Sequence, residues 1–196
     1  MKNGIILLLL LSLSACKYST LPNKTKILDS SQDDNLGGTG TDSTDIRTMA
    51  ERMAREIAGI NWPKEGVTPR VALLPLYNQT RFRIDPKLLQ NKLVKDLINF
   101  SQGRVSYLAR DSEQAVMAER AKKRAGMYDQ GKSTAAMAGA DYLLKGEMRS
   151  LSKASKEGVS DYIVYSFQLI DSESGVILWM GDYETKKMSQ TGVIYQ

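Results

Sequence analysis

The sequence has no histidine and a single cysteine in 196 residues. Without histidine there is no Ser-His-Asp or Cys-His catalytic unit and no zinc site of mixed His and Cys ligands. One cysteine cannot close a disulfide within the chain, so the fold depends on its core. Neither sign of charge dominates: the net charge is +5, a mildly basic surface that does not by itself argue for nucleic acid. No carboxylate pair stands out by spacing or apolar context as an acid–base couple. The residues therefore point to a binding protein and not to an enzyme.

What is present begins at the first residue. Met1-Lys2-Asn3-Gly4 is a short positive start. The apolar run Ile5–Leu11, extended through Ser12 and Leu13, is too short for a final membrane span and fits the core of a secretory signal peptide. Leu13-Ser14-Ala15-Cys16 follows at once. It resembles the lipobox of bacterial lipoproteins, in which the cysteine thiol is linked to a diacylglycerol. Small residues at 14 and 15 let a peptidase reach the bond before Cys16. Residues 1–15 then read as a signal peptide and Cys16 as the lipid attachment site. Each buried methylene contributes roughly 0.8 kcal/mol, so several acyl chains hold firmly. Lys17, not Asp, follows the anchor, and by resemblance to enteric lipoprotein sorting this implies the outer membrane. Such a compartment offers neither nucleic acid nor cytosolic nucleotide. No cofactor and no small-molecule substrate is expected.

Residues 16–44 are poor in apolar groups, with Pro22 their only proline. Gly37-Gly38-Thr39-Gly40 lacks the preceding strand and following helix of a phosphate loop, so the stretch reads as a flexible linker. From 17 to 44 it reaches about 90–100 Å extended and about 30 Å as a coil.

A globular domain is expected over 45–196. Ser43-Thr44-Asp45 are good helix caps, and Ile46, Met49, Met53 and Ile57 form one apolar stripe, ended by Gly59 and Pro63. Arg70–Tyr77 reads as a central strand, with Pro75 marking an end or bulge. Asn78-Gln79-Thr80 reads as a turn. Asp85-Pro86 opens a second helix whose buried side is Leu88, Leu89, Leu93, Leu97 and Ile98, stopped by Gly103. A short strand spans Val105–Ala109. Asp111 with Gln114 resembles a capping box for a third helix ending near Gly126. Ser133 or Thr134 caps a short alanine-rich helix. Asp141–Leu151, Asp161–Ile170 and Val176–Tyr183 then read as an antiparallel meander, separated by turn-rich 152–159 and 171–175. The order implies an α/β (α+β) domain with a mixed, about five-stranded sheet flanked by helices on both faces.

The segments RVALLPLYNQT (70–80), IDPKLLQNKL (84–93), AGMYDQGKST (125–134), AGADYLLKGEMRSLSK (138–153) and DSESGVILWMGDYETKK (171–187) resemble the LpoB-type family of penicillin-binding-protein activators, outer-membrane lipoproteins of cell-wall synthesis. The resemblance runs from about Asp45 to Lys187. It implies a fold akin to the amino-terminal domain of TolB. It also implies a partner, a bifunctional class A penicillin-binding protein of the inner membrane, which the lipoprotein stimulates allosterically. Enteric members carry a long proline-rich linker, and this one is shorter.

Candidate contact residues follow from position. Arg81-Phe82-Arg83 lies in the loop after the first strand, where α/β sheets bind ligands. An aromatic between two arginines has hot-spot composition, and the alternative is that Phe82 folds into the core. Met127 and Tyr128, followed by Asp129-Gln130, sit after a helix end, either as a functional loop or as packing. Lys145 interrupts an apolar strand, facing a partner or merely solvent. Lys122-Lys123-Arg124 complements a helix dipole and needs no ligand. Trp179 reads as core. The alternative function is a CsgG-like secretion or assembly lipoprotein, or another periplasmic scaffold. The former needs long membrane-spanning hairpins, for which the sequence has no room.

Overall fold

The computed structural model describes residues 25–33, 36–62, 66–129 and 136–190. The signal segment and Cys16 lie outside them, as do Pro63, Gln130, Ser133 and Thr134.

Helix α1, Ser43–Ala58, is capped by Asp42, one residue ahead of the expected trio. Asp42 and Asp45 are three apart and close a reciprocal box: the Asp45 N–H donates to the Asp42 carboxylate at 2.9 Å and the Asp42 N–H to that of Asp45 at 3.1 Å. Met49, Met53 and Ile57 are fully buried, so the methionine stripe is core. Gly59 caps the end.

Strand β1, Arg70–Leu73, breaks at Pro75 as that residue's missing donor requires. The chain resumes as β2, Tyr77–Gln79. Asn78 and Gln79, expected in a turn, instead pair with the later strand at Met148 and Arg149. The turn starts one residue on, where the Asn78 side chain accepts the Thr80 N–H at 2.9 Å. Helix α2, Pro86–Ser101, has Asp85 as its N-cap, accepting from the Lys87 N–H at 2.9 Å. Leu89, Leu93 and Leu97 are buried at spacings of four. Leu88 and Ile98, expected beside them, are exposed: they flank that stripe, and Ile98 lines an open groove beside the sheet. Gln102, with φ of 49°, ends the helix before Gly103.

Strand β3, Ser106–Leu108, leads through a single 3-10 turn into α3, Glu113–Arg124. The expected Asp111 capping box is not formed. The Asp111 carboxylate accepts from Lys87 Nζ at 2.9 Å instead. Residues 136–140, assigned from the sequence to an alanine-rich helix, are not helical. The meander is β4, Tyr142–Ala154, β5, Gly158–Asp171, and β6, Ile177–Gln190. Its strands are longer than expected: between β4 and β5 only residues 155–157 lie outside them, so most of the turn-rich stretch is paired. Polar side chains there alternate on a solvated hairpin and mimic a loop in composition.

The sheet is mixed and has six strands, in the order β3-β1-β4-β5-β6, with β2 pairing beside β4. β1 runs parallel to β3 and β4, and β4, β5 and β6 are antiparallel. α1 and α2 pack with one sheet face, burying Val71, Tyr142, Leu144, Met148, Ile163, Tyr165, Phe167 and Leu169. Gly146 belongs to this face: a Cβ there would lie 2.4 Å from Leu76 and 2.6 Å from Phe167. α3 forms as a helix but buries none of its residues. Its apolar side chains are mostly alanine, too small to seal a second layer. The other face of the meander is therefore left open. Among the described residues no helix is long and apolar enough to cross a membrane.

Candidate functional site

Two surfaces carry Arg81, Phe82 and Lys145, and the first proves to be architecture. Arg81 turns back over the sheet end, where its Nε donates to Asp161 at 2.8 Å. The Asp161 side chain is fully buried and also accepts from the Ser152 hydroxyl. Hydrogen bonds from Arg81, Ser152 and Thr39 outweigh burial and hold the Asp161 carboxyl well below the usual carboxylate range. Phe82 lies under the Arg81 guanidinium, 4.7 Å from its centroid, and packs on the core and on Gly40. Of the two readings of Phe82, folding into the core is the one observed. Arg83 is exposed.

A neighbouring cluster extends the same seam, and nothing in the sequence marked it. Lys187, on β6, turns inward and donates to Asp42 at 2.5 Å, Asp45 at 2.6 Å and the Gly40 carbonyl at 3.1 Å. Thr41 shares a hydrogen bond of 2.5 Å with the buried Tyr165 hydroxyl. Burial would raise the Asp42 carboxyl, but hydrogen bonds from Lys187, Thr44 and the Asp45 N–H bring it down to about 2. Burial likewise works against the Lys187 ammonium, and the two carboxylates overcome it and raise its pKa. The packed unit thus begins at Thr39, inside the stretch read as linker. The signal that could have found it is the inward parity of Lys187 within β6, visible only once the register is known.

The second surface is the open face of the meander. Lys145 stands there, half-buried, in one row with Gln168 and Met180. The next rows along are Tyr77, Glu147, Ser166 and Asp182, then Gln79, Arg149, Val164 and Glu184. Tyr77, Leu151, Met180 and Met188 are large apolar groups more than half exposed. Tyrosine, methionine and arginine among scattered charges have the composition of a protein-binding surface. Arg81 stays off this face: its N–H donates at 3.2 Å to Ser150 Oγ, and Ser150 lies on the side of β4 that Tyr142, Leu144 and Met148 bury, opposite to Lys145. Met127 and Tyr128 lie apart, exposed beyond the end of α3, with Lys122 Nζ 6.0 Å from the Tyr128 ring centroid. The candidates do not converge on one pocket. A groove of about 610 Å³ runs between α2 and β3, lined by Leu73, Val94, Ile98 and Tyr107 among others. It contains none of them.

Residues 45–185 match the family model described as peptidoglycan-synthase activator LpoB. The chain belongs to this family. The fold is also similar to the LpoB carboxy-terminal domain from Salmonella enterica, at 17% identity and a TM-score of 0.46, over 73% of this chain and 99% of that one. The Escherichia coli domain gives 18%, 0.45 and the same coverage. The solution structure of E. coli LpoB gives 15% and 0.42, over 97% of this chain and 96% of that one. No curated protein matches the chain.

Proposed function

We propose that the protein is an outer-membrane lipoprotein, acylated on Cys16, whose domain binds a class A penicillin-binding protein and stimulates its peptidoglycan synthesis. The observation that carries this reading is membership of the activator family over 45–185. The domain is a regulator and does no chemistry itself. An activator shifts its target only by binding the active conformation more tightly than the inactive one. A rigid sheet face suits that task, because it presents fixed side chains. Lys145 and Arg83 supply cationic contacts in this reading, and Met127 and Tyr128 an apolar one. Arg81 and Phe82 are structural, packed on the core side of the sheet end, and make no contact in this reading.

The tether sets the reach. The 22 residues from 17 to 38 separate Cys16 from the first packed residue, and extended they span about 75 Å. The synthase must therefore rise toward the outer membrane to be met. Two measurements test the reading. The chain from Lys17 to Gln196 captures a class A synthase of the same organism in a pull-down. Cys16→Ala leaves the domain folded and moves it from the membrane to the soluble fraction. Absence of capture contradicts the partner, and membrane retention of Cys16→Ala contradicts the anchor.

A further inference from the structure

Strand β6 is an edge of the sheet over its whole 14-residue length. The Ser155 N–H donates to the Gly158 carbonyl at the β4–β5 turn, and the Asp171 N–H to the Val176 carbonyl at the β5–β6 turn. Antiparallel alternation from these two points directs the odd-numbered residues of β6 to β5. The N–H and C=O groups of Met180, Asp182, Glu184, Lys186 and Met188 therefore point outward from the edge. Their side chains also stand on the open face. Asp182, Glu184 and Lys186 make no ion pair among the described residues, although Tyr162 hydrogen-bonds Glu184. Edges of this length are ordinarily blunted by charged side chains, inward charges, bulges or cover. Here the register shift opposite Leu169/Ile170 lies at the start of β6, before the charged positions. The one inward charge, Lys187, is neutralised by Asp42 and Asp45, and the outward charges Asp182, Glu184 and Lys186 are of mixed sign.

We propose that β6 pairs antiparallel with β6 of a second copy, joining two sheets into one, in the register that places Thr185 opposite itself. In that register Glu184 faces Lys186 of the second copy, and Lys186 faces its Glu184. Asp182 faces Met188, and no like charges meet. Moving the register by two residues one way sets Glu184 against itself, and the other way sets Lys186 against itself. A further step in the first direction opposes Asp182 to Glu184. The register with Glu184 against itself keeps two Asp182–Lys186 pairs but adds one like pair, so the order of charges along β6 favours the Thr185-centred arrangement over its neighbours by that pair. Opposite charges directly across a strand pair are favourable and like charges unfavourable, each pair by roughly 0.2–1 kcal/mol. Attachment to a membrane concentrates the copies and favours such pairing further. The pairing does not depend on which enzyme the protein activates.

The test uses the chain from Lys17 to Gln196, which keeps every described residue, in analytical ultracentrifugation from about 1 μM to about 1 mM. A reversible dimer is expected. Glu184→Lys and Lys186→Glu each weaken it by about tenfold or more, because each sets two like-charge pairs face to face. Mixing the two variants restores a heterodimer, and the double exchange Glu184→Lys/Lys186→Glu restores the homodimer. These residues are exposed, so circular dichroism of all three variants matches the parent. A monomer over the whole range overturns the proposal, as does a dimer indifferent to either reversal. If the protein stays monomeric and the reversals instead weaken capture of the synthase, the edge takes a strand of the enzyme and the second copy is ruled out.

Discussion

Replacing Lys187 by methionine keeps the aliphatic stem and removes only the charge, so it isolates the seam that ties the tether to the sheet. Lys187 has a side chain 25% exposed and serves two carboxylates, of which Asp45 is 8% exposed and Asp42 41%. Removing one partner of a buried ion pair costs about 3–5 kcal/mol. Asp42 is open enough to recover water and is screened accordingly, which lowers the expected loss to about 1.5–3 kcal/mol. For a domain of this size that corresponds to a fall in Tm of roughly 3–12 °C. The pH dependence gives a sharper signature. The Asp42 carboxyl is depressed in the fold to about 2 from its ordinary 3.8. Its contribution is therefore present above the unfolded value and lost as pH falls from about 3.8 towards about 2. The raised pKa of Lys187 contributes stability that is complete below the ordinary 10.5 and lost only as pH rises beyond it. Urea denaturation of parent and Lys187→Met between acid and neutral pH reads the Asp42 effect. The two curves should converge on the acid side. A constant difference across that window, or one under about 0.5 kcal/mol at neutral pH, refutes the clamp.

Three further outcomes are expected. Gly146→Val forces a side chain into the space of Leu76 and Phe167 and should cost about 1–3 kcal/mol by chemical denaturation. Asp85→Ala removes the α2 cap and should cost about 1 kcal/mol, with a matching loss in thermal melts. Lys145→Glu, on the open face, should leave the melting curve unchanged and weaken synthase capture. Capture at the parental level would remove Lys145 from the docking surface.

The parts of the fold visible in the sequence are those written in local periodicity. The Asp85-Pro86 start, the break at Pro75 and the buried leucines of α2 follow from capping chemistry and a spacing of four. The meander follows from alternation, although its strands run further than composition suggests because solvated strand ends carry polar residues. The misplaced features are set by tertiary partners. Asp111 abandons its capping box for Lys87, and Gln79 joins a strand because β4 offers it a partner. Leu88 and Ile98 stay exposed because they lie outside the buried stripe, Ile98 in the open groove between α2 and β3. For the candidate site, Lys145 could be placed on a solvent-facing strand position. The internal roles of Arg81 and Lys187 could not, since each meets residues dozens of positions away that only the register brings together.

Regulation of a synthase is tested most directly by glycan polymerisation. Labelled lipid-linked precursor is supplied to the purified class A penicillin-binding protein of the same organism, with and without the chain from Lys17 to Gln196. A faster, saturable rise in polymer that Lys145→Glu weakens is the predicted result. A rate that the chain leaves unchanged at saturating concentration contradicts the assigned function.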